Sequence, residues 1–165
     1  MKKVGIVMGS KSDLPVVEKA IDILKEYEVP FEIRVLSAHR CPEEVRDFAT
    51  TAYESGFFVL IAAAGMAAHL AGALAANTAL PIIGIPCRSN NSDGMDALLS
   101  TVMMPSGVPV ATVGIDNAKN AALLAIQILA TSDEALYKKL LEHKQINKEA
   151  VLKIDEEVRK EYKGE

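Results

Sequence analysis

The stretch that decides the fold is Phe31-Glu32-Ile33-Arg34-Val35-Leu36-Ser37-Ala38-His39-Arg40-Cys41-Pro42. It begins as an apolar strand, Phe31 to Leu36, and ends at a proline suited to open a helix. Between the two lie a hydroxyl, an imidazole and a guanidinium. In an open parallel α/β sheet, ligands bind outside the carboxyl ends of the strands, so Ser37, His39 and Arg40 are expected to face a site. Guanidinium geometry suits a phosphate, and an imidazole changes charge near neutral pH. A similar turn follows the first strand: Lys3 to Met8 runs into Gly9-Ser10-Lys11-Ser12-Asp13, and a helix begins at Leu14-Pro15. Two polar strand-to-helix turns predict one shared pocket.

Working outward, the same unit recurs. Strand-like runs are Lys3 to Met8, Phe31 to Leu36, Phe57 to Ala63, Pro81 to Ile85 and Pro109 to Gly114, with starts 24 to 28 residues apart. That spacing is close to one βαβ unit, and most runs are nearly continuous in apolar residues, as strands covered on both faces are. The expectation is an α/β fold with a five-stranded parallel sheet. Leu14 to Tyr27 places Val17, Ala20, Ile21 and Leu24 at helical spacing, and Pro42 to Ser55 opens with a proline and two glutamates that favour a first helical turn. Asn117 to Leu129 reads as an alanine- and leucine-rich helix of low charge. Two charged segments follow, Ser132 to His143 and Asn147 to Tyr162. In the second, Ile146, Ala150, Val151, Ile154 and Val158 recur at helical spacing. It is either packed on its own domain or an arm for a neighbouring subunit. Residues 1–165 are expected to form one domain, with 132–165 a helical extension involved in subunit contacts.

Composition narrows the class. The 165 residues bury a sizeable core as one domain; half are apolar and a quarter charged. The longest apolar runs fall well short of the ~20 residues of a membrane helix. The chain passes from Met1-Lys2-Lys3 straight into a strand-like run without a secretory pattern, so a cytoplasmic location is expected. Cys41 and Cys87 show no metal-ligand or disulfide spacing. With a net charge of −4 and no basic stripe, nucleic acid is not an expected partner.

Other candidates have a bland account beside the functional one. Just beyond the third strand, Gly65-Met66-Ala67-Ala68-His69-Leu70-Ala71-Gly72 offers small side chains that let backbone approach a ligand, or that simply let a helix pack closely. Ser12 or Asp13 suits an N-cap as well as a site. The polar loop Ser89 to Asp96 contains Asp93 and Asp96, but its spacing is not that of a metal site, and its residues are those of a turn or a mobile lid. Cys41 stands where the second helix needs its N-cap, a task a thiol performs poorly, and Glu44 would complete a capping box with a hydroxyl at position 41. A nucleophilic role beside His39 is the less favoured reading of Cys41.

Four separated motifs now carry a resemblance. Met8-Gly9-Ser10-Lys11-Ser12-Asp13, Ser37-Ala38-His39-Arg40, Ala67-Ala68-His69-Leu70 and Met104-Pro105-Ser106-Gly107-Val108-Pro109-Val110-Ala111-Thr112 resemble, in order and spacing, class I PurE, the family of N5-carboxyaminoimidazole ribonucleotide mutases. The resemblance implies a flavodoxin-like three-layer αβα sandwich and a homo-octamer. It also implies transfer of a carboxyl group from the exocyclic nitrogen to ring carbon 4 of a small-molecule aminoimidazole ribonucleotide, with no metal or other cofactor. It gives His39 as general acid and base, and Ser10, Ser37 and Arg40 as phosphate ligands with Ser12 nearby. Asp13 is implied to hold the ribose hydroxyls. Ala38, Gly65, Ala67, Ala68, His69 and Leu70 are implied to line the base and confine carbon dioxide. Met66, Ala71 and Cys41 depart from the family pattern, which has glycine, proline and threonine there, and the loop Arg88 to Ser92 also diverges. Two rivals stand beside this reading: a class II PurE that carboxylates the free amine directly, and a non-catalytic nucleotide-binding regulator on the same fold.

Overall fold

Five parallel strands form the sheet in the order β2-β1-β3-β4-β5, where β1 is Lys3–Met8, β2 Phe31–Val35, β3 Phe57–Gly65, β4 Ile82–Cys87 and β5 Ala111–Thr112. The computed structural model describes residues 2–90 and 92–163; Met1, Gly164, Glu165 and Asn91 of the polar loop lie outside the described residues. β1 and β3 are almost wholly buried, as their unbroken apolar runs require, with Ile6 beside Ile33 on one flank and beside Ile61 on the other. β2 is an edge strand with Arg34 and Val35 exposed. The order reverses at β1, so the first chain crossover runs to one side and the next to the other. That reversal creates a crevice between the carboxyl ends of β1 and β3, where open α/β sheets place ligands.

The crossovers are α1 (Leu14–Glu26), α2 (Pro42–Thr51), α3 (Leu70–Ala75) and α4 (Met95–Val102), and α5 (Ala118–Ala130) follows the last strand. Two apolar cores lie on opposite faces of the sheet. One joins Val17, Ala20 and Leu24 of α1 to Ala121, Ala125 and Ile126 of α5 over Val4, Ile6, Ile61 and Ile83. The other joins Val45, Phe48 and Ala49 of α2 to Leu70 and Leu74 of α3 over Val7, Leu60 and Ile82. This is the flavodoxin-like three-layer sandwich. Gly84 makes room for α4, because a Cβ there would collide with the Thr101 methyl.

Three expectations change. The fifth strand is two residues long rather than Pro109 to Gly114; it lies at the sheet edge, where Pro109 lacks an N–H to donate and only Ala111 and Thr112 pair with β4. The polar loop ends sooner than Asp96, because Gly94 at φ +89° starts α4 at Met95. The two terminal segments are one helix, α6 (Glu134–Glu161). Asp133 caps it by accepting from the backbone of Ala135 and Leu136 at 3.1 Å, and the mostly polar stretch 142–149 includes no glycine or proline to interrupt it. Of its 28 residues only Leu140 is buried. Ile146, Val151, Ile154 and Val158 are exposed, so the distal half does not pack on its own subunit.

Candidate active site

The β1 turn is built by its own side chains. Ser10 accepts from Ser12 N and Ser12 Oγ, while Asp13 Oδ2 accepts from Ser10 N at 3.0 Å, giving a capping box over the 3₁₀ turn Lys11–Asp13. The cap expected of Ser12 or Asp13 on the first helix is not formed: Asp13 precedes that helix without a side-chain cap bond, and Ser10 caps the 3₁₀ turn instead, so that the bonds closing the turn hold its hydroxyls at the strand end. Asp13 is half-buried, and burial pushes its carboxyl above the usual range, aided by the charge of Asp116 and opposed by the Ser10 N–H.

After β2, Arg40 N donates to Ser37 Oγ at 3.3 Å and Arg40 Nη2 donates to Gly9 O at 2.9 Å. The guanidinium is thereby laid across the neighbouring β1 turn, with its other N–H groups uncommitted by that bond. Cys41 makes no bond to the free N–H groups of α2. Its Sγ instead accepts from Ser37 N at 3.0 Å and lies 3.2 Å from Ser37 O. The thiol thus stiffens the turn rather than caps the helix.

β3 ends in a tight turn. Met66 takes φ +56°, Ala68 N donates to Met66 O, and His69 N donates to Ala67 O, both at 2.9 Å. Gly65 before it has little room, since a Cβ would meet Cys87 O at 3.2 Å. The turn delivers His69 to His39: Nε2 of His39 lies 2.7 Å from Nδ1 of His69, and the two rings meet edge to face at 85°. One nitrogen carries the hydrogen and the other accepts it, so the pair can pass a proton along one line.

These turns line one cleft of about 590 Å³, which takes in Ser10, Ser12, Asp13, Ser37, Ala38, His39, Arg40, Gly65, Ala67, His69 and Leu70. Ala68 is not among its walls; it is 2% exposed and lies under the turn. The cleft also takes in Gly9, Ala64, Met66 and three residues that sequence reasoning missed, Arg88, Ser89 and Asn90. The signal for them was available, because they follow β4 as Ser37 to Arg40 follow β2. Asp93 is held by Arg88, and Asp96 accepts from Ala97 N and Ser89 Oγ, so the two acids face separate protein partners. Cys87, at the end of β4, is buried with its pKa pushed up to about 12 by desolvation and by Asp13 and Asp116. It remains a thiol at neutral pH.

The chain that forms this cleft is similar to known proteins over most of its length. Over 145 residues the chain is 54% identical to the N5-carboxyaminoimidazole ribonucleotide mutase of Pyrococcus abyssi, spanning 88% of this chain and 83% of that one. It is 46% identical over 156 residues to the chloroplastic phosphoribosylaminoimidazole carboxylase of Vigna aconitifolia, spanning 94% of this chain but 28% of that longer protein. The crystal structure of Treponema denticola PurE superposes with a TM-score of 0.87 at 30% identity, covering 96% of this chain and 99% of that one. A family model described as AIR carboxylase matches residues 3–150. With nine-tenths of its length inside that match and the cleft formed by that same span, the chain belongs to the AIR carboxylase family.

Proposed function

We propose that the chain is an N5-carboxyaminoimidazole ribonucleotide mutase of purine biosynthesis. The observation that carries the reading is the His39–His69 pair at 2.7 Å, set in a cleft whose walls also hold Ser10, Ser37 and Arg40. Those three, with Ser12 nearby, bind the 5′-phosphate, and Asp13 accepts from the ribose hydroxyls. The base lies against Ala38, Gly65, Ala67, His69 and Leu70, with Ala68 supporting that wall from beneath. His39 donates a proton to the carbamate nitrogen, the N–C bond breaks, and carbon dioxide is released within the cleft. Ring carbon 4 attacks it, and the proton on carbon 4 passes to the imidazole. The proton count returns to its start, and the cleft walls limit escape of the gas.

A second reading, direct carboxylation of the free amine, is favoured by the plant carboxylase relative at 46% identity, against 54% for the archaeal mutase. Purified protein is offered the carbamate substrate, and separately aminoimidazole ribonucleotide with bicarbonate. Faster conversion of the carbamate without ATP is expected, and the reverse preference would replace the mutase reading. His39→Asn should bind nucleotide yet lose ~10²–10⁴-fold in turnover. A regulator without catalysis would convert neither substrate.

In this reading the subunits form a homo-octamer in the cytoplasm. Its support is α6, whose exposed Ile146, Val151, Ile154 and Val158 form an apolar stripe unused within the subunit. Light scattering should give eight times the subunit mass, and a stable monomer would remove the proposal. Among the described residues no helix is long and apolar enough to cross a membrane.

A further inference from the structure

Arg88 enters the cleft from the end of β4, while Arg40 enters from the end of β2, with β1 and β3 between them. At ~4.8 Å per strand spacing, the two strand ends stand ~14 Å apart. The cleft therefore has a cation at each end. We propose that Arg88 binds the carboxylate of the substrate and product, and that Asp116 is the residue that positions it. The proposal rests on the mutase reading, in which both ligands carry a carboxylate as well as a phosphate.

The geometry around Arg88 separates a fixed partner from an exchangeable one. Asp116, at φ +56° just before α5, accepts from Arg88 N at 2.9 Å through Oδ1 and pairs with Arg88 Nε at 3.4 Å through Oδ2. Its own backbone is anchored, since Asp116 N donates to Pro86 O at 2.9 Å. This hold uses the Nε edge of the guanidinium and leaves the two Nη groups, of which Nη1 meets Asp93. The Asp93 side chain is 78% exposed and that of Asp116 26%. An exposed ion pair contributes little, so a ligand carboxylate can replace Asp93 at small cost, whereas a bidentate pair inside a cleft is stronger.

Charge makes the same point. Asp13 and Asp116 both stand near this end of the cleft, closely enough that Asp116 helps to raise the Asp13 pKa. Without a cation there, these two acids would disfavour an incoming carboxylate. Arg88 supplies that cation on the wall, and Asp116 keeps it aimed.

The test compares calorimetric binding of two nucleotides that share the phosphate and ribose: 4-carboxy-5-aminoimidazole ribonucleotide and 5-aminoimidazole ribonucleotide. Arg88→Gln should weaken the carboxylated ligand roughly 10- to 100-fold, the scale of a charge-assisted bond, and leave the other within about twofold. Arg88→Lys should fall between, because an ammonium keeps the charge and loses the fork. Asp116→Asn should raise KM for the carbamate more than it lowers kcat, without moving the Kd of the uncarboxylated ligand. Asp93→Asn, which removes the competing carboxylate, should tighten the carboxylated ligand. Equal losses for both nucleotides in Arg88→Gln, or no loss in either, would overturn the proposal while the wild-type protein still converts the carbamate. A wild-type protein that neither binds nor converts either nucleotide refutes the mutase reading itself, and this proposal with it.

Discussion

Met66 bears backbone strain at the edge of the cleft, and replacing it with glycine should stabilise the protein. A non-glycine residue at φ +56° pays ~1–2 kcal/mol for the close approach of its Cβ to the following carbonyl. Glycine avoids that cost but gives the unfolded chain more freedom, which takes back ~0.5–1 kcal/mol. The methionine side chain is 58% exposed and forfeits little burial when removed. The net gain for Met66→Gly is therefore ~0–1.5 kcal/mol, centred near ~0.7 kcal/mol or ~1–3 °C in Tm for a chain of this size. Calorimetric melting of Met66→Gly and Met66→Ala at one fixed protein concentration provides the assay. Alanine removes the side chain but keeps the Cβ, so it should melt within about a degree of the parent. If alanine gains as much as glycine, the side chain rather than the backbone is responsible; if glycine melts lower, the strain argument is wrong.

Three further outcomes follow from the same geometry. Cys41→Thr offers a hydroxyl to the uncapped N–H groups of α2 but gives up the sulfur contacts to Ser37, so urea titration should show a gain below the full ~1 kcal/mol of a new cap; a loss would mean that the Ser37 contacts outweigh capping. Asp13→Asn removes a carboxylate that burial disfavours: a raised pKa makes ionisation in the fold costly, so that cost appears as pH rises through the folded-state value. The variant should melt higher than the parent near pH 7 and lose that advantage at acid pH, while binding ribonucleotide more weakly; an advantage that grew on acidification would reverse the sign argued here. Iodoacetamide at pH 8 should modify native protein at Cys41 alone and reach Cys87 only after unfolding, as mass spectrometry of peptides would reveal; rapid native labelling of Cys87 would contradict its burial and pKa near 12.

The parallel sheet was legible because β1, β3 and β4 are buried on both faces and must be written in unbroken apolar runs. β5 was overestimated because the same composition, Pro109 to Gly114, reads alike whether or not a neighbour is there to pair with it. The junction within α6 was misread for a related reason: a polar interval looks like a break, but a helix ends where a residue disrupts its backbone bonds, and 142–149 contains none that does. At the cleft, His39 and Arg40 stood out by chemistry and position. The His39–His69 contact did not, since it joins residues 30 apart through the left-handed turn at Met66. Arg88 was noted only as part of a loop that departs from the family pattern, and its partner Asp116 lies 28 residues further on.

The cleft draws its walls from the ends of four strands, between Gly9 and Asn90, and the sheet order interleaves them. No contiguous fragment shorter than that span holds all four turns, and β1 reaches its place only when β2 and β3 flank it. Ligand capture is thus a property of the whole sheet, and a nucleotide in the cleft acts as a non-covalent clasp across it. At a concentration one hundred times its Kd, such a clasp adds ~2.7 kcal/mol to folding. The protein should accordingly resist proteolysis most in cells where its nucleotide is plentiful, so that supply of the ligand also governs the lifetime of the chain that uses it.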